Sequence, residues 1–222
     1  MFHVKLFLLC LFLVPILCFS QHMGTTRLEV KDLPAPPVSD AKIEEFLSPY
    51  ANSLSPTEDE WFYWTNYSRS NPRRFWDSVV APILKVYPTF RNSYTTSLKE
   101  DLYRSPSLPL VIPNADLTKT ARSLALGLAA KKAGPSHTAP SGATFEDRMK
   151  SISVKRCAGE NISFGPPNTI LMLVLLYIDE GVPDLGHRKT LLNPAFVEMG
   201  IGVGTYPENR YMVVQDFACT QK

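Results

Sequence analysis

The chain has 222 residues, 45% of them hydrophobic, and a formal net charge of +2 at pH 7. This length and apolar content suit one folded domain with an additional segment, and they exclude a wholly disordered chain. The 23 basic and 21 acidic side chains nearly balance, so the charge gives no case for binding nucleic acid or an anionic membrane.

The first twenty residues have the order of a secretory signal peptide. Lys5 precedes an almost unbroken apolar run from Leu6 to Phe19, and Cys18 and Ser20 offer small side chains to a signal peptidase. The run is shorter than the ~20 residues of a membrane-spanning helix, although a retained anchor is the alternative. We therefore predict export to a periplasmic or extracellular location, with no transmembrane segment in the mature chain.

Removal of residues 1–20 would leave 202 residues, a net charge of +1 and two of the four cysteines, Cys157 and Cys219. Two cysteines in an oxidising compartment predict one disulfide bond. Two buried free thiols are the alternative if the chain stays in a reducing compartment.

Residues 21–56 contain five prolines and little periodicity, which is typical of an extended arm. Only a short helix at Ala41–Leu47 is expected within it. The folded domain is predicted to span 57–222 and to start with a capping box formed by Thr57 and Glu60.

The domain's helices are predicted from apolar periodicity and end signals. Trp61, Trp64 and Tyr67 share one helical face, and a second apolar face from Phe75 to Leu84 contains Pro82, which must kink or restart the helix. Further helices are expected at Leu98–Tyr103, Pro113–Lys132, Phe145–Lys150 and Ile170–Ile178, the third of them capped by Thr144 with Asp147.

Three later segments are predicted to be strands. Val154–Phe164 is rich in β-type residues, residues 197–204 alternate apolar side chains with glycine or glutamate, and Tyr211–Cys219 returns after a turn at Pro207–Asn209. Gly200, Gly202 and Gly204 lack the setting of a phosphate loop, so we expect them to permit a close backbone approach to the sheet. Helices before and between these strands predict a mixed α+β layered domain.

Histidine is scarce, since only His137 and His187 lie in the predicted domain, with Glu160 between them in the sequence. Imidazole and carboxylate groups are ligands for zinc and transfer protons near neutral pH. On spacing alone this is a weak signal.

The sequence motifs around these residues resemble those of the CAP superfamily, which comprises cysteine-rich secretory proteins, antigen 5, pathogenesis-related 1 proteins and bacterial SCP-like domains. The match covers roughly residues 57–220 in the bacterial-type form, with Arg188 after the histidine. Eight stretches follow the family's order: Thr65–Pro72, Ser136–Thr138, Phe145–Met149, Gly159–Ile162, Gly186–Arg188, Leu192–Phe196, Gly200–Gly202 and Val214–Phe217.

The resemblance implies a three-layer α-β-α sandwich with a cleft lined by two histidines and two acids. Carried over by motif, the first three members of this tetrad are His137, Glu160 and His187. The second acid is Glu180, with Asp179 as the alternative, and consecutive helical residues point about 100° apart, so only one is expected to face the cleft.

Three uses of the cleft remain open from the sequence. Zn²⁺ bound by His137 and His187 would suit the donor types, the four groups could instead hydrogen-bond one another, or the cleft could hold a small polar ligand or peptide. We expect chiefly a binding module for a small ligand, lipid or protein. The alternative is a metal-dependent, peptidase-like hydrolase with Glu160 as general base.

Other side chains have simpler interpretations. Arg188 is expected to pair with an acid such as Asp184, and the tryptophans are expected in the core. Ser136 and Ser163 lack a nucleophile elbow, which disfavours a serine hydrolase. A lipid carrier would need an apolar groove, for which Phe164, Ile170 and Leu173 are candidates.

Overall fold

A four-stranded sheet lies between two helical layers, which confirms the predicted α+β, three-layer α-β-α fold. The computed structural model describes residues 28, 30–154 and 157–220. The predicted signal peptide at 1–20 and the first residues of the predicted arm therefore lie outside the described residues.

Nine α-helices occur in the described ranges, and they are labelled in chain order. Short 3₁₀ turns lie at Ser48–Ser53 and Pro88–Phe90, and a π-helical turn spans Trp76–Val80. The α-helices are α1 Ala41–Leu47, α2 Pro56–Ser70, α3 Pro72–Phe75, α4 Ala81–Val86, α5 Ser93–Arg104, α6 Ala115–Ala130, α7 Phe145–Ser151, α8 Thr169–Ile178 and α9 Gly186–Leu191.

The strands are β1 Ile112–Pro113, β2 Ala158–Gly165, β3 Glu198–Tyr206 and β4 Arg210–Ala218. They lie in the order β1-β3-β4-β2, with β1 parallel to β3 and the other pairs antiparallel. The closing β3–β4 hairpin was predicted, whereas the two-residue β1 is too short to give a periodic signal. Among the described residues β2 pairs only with β4, so β2 is an edge strand.

Alternating side chains assign the two faces of the sheet to different helical layers, as strand geometry requires. On one face Ile162, Met212 and Val214 pack with the buried side of α6. On the other face Met199, Ile201, Val213 and Phe217 join the larger core, which contains α2 and α8. All three tryptophans are buried in that larger core, as predicted: Trp61, Trp64 and Trp76.

The glycines of β3 let helix α6 lie directly on the sheet. A Cβ atom added at Gly200, Gly202 or Gly204 would overlap the backbone of α6, at Leu117–Thr118, Ala121–Arg122 and Ala125 respectively. The overlapped residues recur every four positions, which is one face of a helix. The predicted close backbone approach is confirmed.

Part of the segment before α2 packs against the domain, whereas residues 30–40 form neither helix nor strand. The predicted helix at Ala41–Leu47 is present as α1, and its Ile43 side chain is only 1% exposed in the core. The preceding residue is also anchored, since the Asp40 N–H donates to Tyr63 Oη at 2.7 Å and its carboxylate pairs with Arg74 at 2.7 Å.

Three local predictions need correction. The capping box of α2 is formed by Ser55 and Glu58, two residues before the predicted pair, because Pro56 already occupies the first turn, where it is tolerated. The helix predicted at Leu98–Tyr103 extends over the whole of α5, capped by Asn92. The strand predicted from Val154 starts at Ala158.

Cys157 and Cys219 form the predicted disulfide, with Cα atoms 5.7 Å apart. The bond joins the residue before β2 to the residue after β4, and the Cys219 N–H also donates to the Cys157 carbonyl at 3.1 Å. No helix in the described part of the chain is long and apolar enough to cross a membrane.

The close approach of α6 to the β3 glycines predicts how one added methyl group changes the stability of the domain. Gly202→Ala should destabilise the domain by about 1–3 kcal/mol, the range for overpacking, because the new Cβ meets the α6 backbone rather than a movable side chain. Gly134→Ala is the matched control, since no atom lies within 4 Å of its added Cβ. Urea unfolding of both variants measures the difference, and equal stability would refute the close contact.

Candidate functional site

Two histidine–carboxylate pairs form the chemical centre of the molecule. His137 Nδ1 lies 2.6 Å from Glu160 Oε1, and His187 Nδ1 lies 2.6 Å from Asp179 Oδ1. Ionised carboxylates only accept hydrogen bonds, so each Nδ1 donates and Nε2 is the ring nitrogen left for another partner. The imidazoles are 28% and 25% exposed, whereas the side chains of Glu160 and Asp179 are 2% and 0% exposed.

Asp179 reaches His187 because the chain reverses sharply after α8. Asp179 ends that helix in the left-handed conformation, with φ of 59°, which aspartate tolerates better than most residues. Leu185, also left-handed, then precedes α9. The Asp179 carboxylate therefore also accepts from the Arg188 backbone N–H at 3.2 Å.

The structure does not place Glu180, the expected second acid, at His187. Its exposed carboxylate instead accepts a hydrogen bond from Asn92 Nδ2 at 2.8 Å. Because α8 ends at Ile178, the sequence argument from helical spacing does not apply across Asp179 and Glu180. Asp179, the weaker alternative in the sequence, is the acid next to His187.

Arg188 fixes α9 from inside the protein, and its expected pairing with Asp184 is wrong. The side chain is 1% exposed, and its carboxylate partner among the described residues is Asp101 of α5, at 3.0 Å. Its other hydrogen bonds go to Ser97 Oγ and to the carbonyl oxygens of Tyr94, Tyr177 and Ile178. Arg188 thus ties α9 to the end of α8 and to α5, which holds His187 beside Asp179.

Arg148 is the buried arginine beside the His137–Glu160 pair, and the sequence did not reveal this role. From α7 it donates to the His137 carbonyl at 2.8 Å and forms an ion pair with the second oxygen of Glu160. Arg148 lies in the Phe145–Met149 motif, to which the sequence alone assigned no function. His137 is therefore held at both its backbone and its ring.

A further acid lies behind Glu160. Asp216 of β4 stands opposite Glu160 in the strand register and is fully buried. Burial raises the pKa of Asp216 well above its usual value, and the neighbouring Glu160 carboxylate raises it further. The sequence identified the Val214–Phe217 motif but gave Asp216 no role.

Edge strand β2 connects the two pairs. The Glu160 side chain holds the His137 ring, and the next residue, Asn161, donates through Nδ2 to the His187 carbonyl at 3.3 Å. His137 thus meets β2 through its ring, and His187 meets the adjacent strand residue through its backbone carbonyl.

Among the described residues, His137, His187 and the neighbouring acids do not form a complete set of protein ligands for a metal ion. In the described ranges no group of three or more His, Cys, Asp and Glu side chains is arranged to hold an ion. Zinc sites ordinarily have three or four protein ligands. Zinc bound by His137 and His187 alone therefore stays a prediction, and we derive no chemical step through it.

The remaining polar side chains near the motifs are structural. Ser136 Oγ donates to the Thr138 carbonyl at 3.0 Å, Ser163 is 7% exposed, and no serine bonded to either imidazole is seen in the described residues. Tyr177 lies in the core, hydrogen-bonded to Ser68 at 2.8 Å, and burial raises its pKa to about 12.

A surface pocket of about 520 Å³ lies beside α9 and is lined by neither histidine. Its lining includes Arg104, Leu185 and Lys189. The pocket therefore does not coincide with the two histidine–carboxylate pairs.

Comparison with solved structures finds similar proteins in bacteria and a flatworm. An extracellular protein with an SCP domain from Bacillus anthracis is 29% identical over 51% of this chain, with a TM-score of 0.40, and the chain spans only 35% of that protein. An outer surface protein of Borrelia burgdorferi is 20% identical, covering 58% of this chain and 90% of its own, with a TM-score of 0.42. Venom allergen-like protein 4 of Schistosoma mansoni is 12% identical, covering 76% and 92%, with a TM-score of 0.44.

A comparison with curated protein sequences gives no match. A family model, described as the cysteine-rich secretory protein family, matches residues 65–217, which include both histidine–carboxylate pairs, Arg148 and Asp216. The chain belongs to the CAP (cysteine-rich secretory protein) family.

Proposed function

We propose that this protein is an exported binding module that holds a small polar ligand through the Nε2 atoms of His137 and His187. The observation that carries the proposal is the fixed orientation of both rings by buried carboxylates. Orienting a ring in advance lowers the conformational cost of binding. A ligand would meet the partly exposed imidazoles, because the acids behind them are almost completely covered.

Binding fits the geometry better than hydrolysis does. In the alternative hydrolase Glu160 would act as general base, and such a base must reach the proton that it removes. One oxygen of Glu160 accepts from His137, the other pairs with Arg148, and the side chain is 2% exposed. Glu160 therefore supports a ring rather than activating water.

A polar ligand also fits better than a lipid. Leu173 is fully buried, and Phe164 packs against Tyr206 and beneath the Arg210 guanidinium. Ile170 lines a cavity of only about 20 Å³, which residues Leu33–Pro37 cover. The three residues proposed from sequence for an apolar groove are thus already packed.

Export is supported by three separate observations. The N-terminal residues have the pattern of a signal peptide, the chain carries a disulfide bond, and disulfides persist in oxidising compartments. The Bacillus and Borrelia proteins to which it is similar are described as extracellular and as an outer surface protein. We therefore place the proposed binding function outside the cytoplasm.

The binding proposal predicts a specific pattern of variants. In a thermal-shift screen with polar metabolites and short peptides, at least one compound should raise the melting temperature of the wild type. His137→Ala and His187→Ala should lose that shift, since each removes one ligand contact. Asp179→Asn should weaken it, because the amide no longer provides a charged acceptor for the ring.

Glu180→Gln is the matched control for Asp179→Asn, since it makes the same change at the next residue on an exposed side chain. We expect its shift to equal that of the wild type. Compounds that bind equally well to the wild type and to both histidine variants would contradict the proposed site.

A metal ion is the second candidate, and one observation favours it. Histidines that bind metals commonly donate their other ring nitrogen to a carboxylate, as both histidines do here. The absence of a third protein ligand among the described residues weighs against it.

We accordingly expect dialysed wild-type protein and the His137→Ala, His187→Ala double variant to have the same low zinc content by elemental analysis. The full-length protein should be compared at equal concentration, with its disulfide intact. Equimolar zinc in the wild type that disappears in the double variant would favour the metal site over the proposed one.

A further inference from the structure

Asp216 is a carboxyl group beside another one, that of Glu160, in a place where negative charges on both would be unfavourable. It is fully buried, and it contacts the Glu160 carboxyl, which stands opposite it in the strand register. The nearby cation, Arg148, pairs with Glu160. Two buried carboxylates beside one guanidinium would leave an uncompensated negative charge, which is costly in a protein interior.

The hydrogen bonds around Asp216 require one more proton than the surrounding donors supply. Thr120 Oγ1 lies 2.9 Å from the Leu117 carbonyl and 2.6 Å from Asp216 Oδ2, yet a hydroxyl has only one proton to donate. Among the described residues Asp216 Oδ1 has no donor if both acids are ionised. A proton on Asp216 supplies the missing donor, whichever of its two oxygens carries it.

We propose that Asp216 is a positioning residue of the His137–Glu160 pair, a neutral carboxylic acid that shares its proton with Glu160. The pair then holds a single negative charge, on Glu160, which Arg148 balances. With Asp216 behind it and Arg148 beside it, Glu160 has a fixed orientation and so fixes the ring of His137. This inference rests on the proposed function only in that the pair it positions is half of the proposed binding site.

The charged and polar groups around Asp216 lie on three neighbouring elements, while β3 presents only Gly200 there. They are Glu160 on β2, Thr120 on α6 and, through Glu160, Arg148 on α7. Burial and Glu160 raise the pKa of Asp216, while Thr120 and Arg148 oppose the rise. The net rise in the pKa of Asp216 agrees with the missing hydrogen-bond donor and the uncompensated negative charge described above.

The sign of the pH dependence follows from this direction. In the unfolded chain an aspartate ionises near its usual pKa of about 3.9, whereas folded Asp216 keeps its proton to higher pH. Asp216 therefore contributes most stability below the unfolded value, and its contribution is lost as pH rises through the folded pKa.

The test compares the full-length wild type with Asp216→Asn, whose neutral amide keeps the shape and a donor toward Glu160. Above the unfolded pKa, the unfolding equilibrium constant of the wild type should rise relative to the variant by up to about tenfold per pH unit, until the folded pKa is reached. A ratio that stays flat or falls with pH would show that Asp216 is ionised in the folded protein and would overturn the proposal.

Carbon-13 NMR of aspartate-labelled protein gives an independent readout of the same group. The Asp216 Cγ resonance should have the shift of a protonated carboxyl at neutral pH, and an ionised shift would contradict the proposal. In Asp216→Asn the ring signals of His137 should keep their wild-type positions. A displaced His137 signal in this variant would also count against the positioning role.

Asp216→Val removes the donor and should move the His137 signals while leaving those of His187 in place. If that variant does not fold, the Asn variant and the carbon-13 shift still decide the question. None of these measurements requires a ligand, so failure of the binding proposal would not be confused with failure of this one.

Discussion

Buried guanidinium groups are the constraint on which the site depends. Burying a charged side chain is costly unless it is paired or hydrogen-bonded, and three buried arginines bond to carbonyl and carboxylate oxygens of segments that are distant in the sequence. Arg188 joins α9 to α5 and the end of α8, and Arg148 joins the His137 loop to β2. Arg69, also fully buried, donates to the carbonyls of Pro109, Leu191, Asn193 and Phe196, which secures the chain after α9.

The two carboxylates are buried with both oxygens engaged, whereas the two imidazoles stay partly exposed. Each acid is covered by the groups that hold it, and only the outer part of each imidazole remains exposed. A buried acid with both oxygens engaged can orient a ring, but it cannot meet a substrate. This arrangement is the basis of the proposed binding function, and among the described residues no strand lies beyond edge strand β2.

Much of the fold could be predicted from the sequence, because periodicity and glycine placement are local signals that tertiary packing here reinforces. The β3–β4 hairpin, α6, α7, α8 and the close approach at Gly200–Gly204 are examples. The choice between Asp179 and Glu180 was not predictable, since it depends on the left-handed conformation of Asp179 directly after α8. The partner of Arg188 and the role of Asp216 depend on contacts between residues about 60 to 90 positions apart, for which a single sequence carries no signal.

The central claim is that both histidines are held through Nδ1 and present Nε2. Nitrogen-15 NMR of the imidazole rings in the full-length protein measures this directly, because it distinguishes the two nitrogens of each ring. The account predicts that His137 and His187 both carry a hydrogen-bonded proton on Nδ1 near neutral pH, and that Asp179→Asn alters only the His187 ring. A neutral ring of either histidine with its proton on Nε2 and a bare Nδ1 would contradict the account.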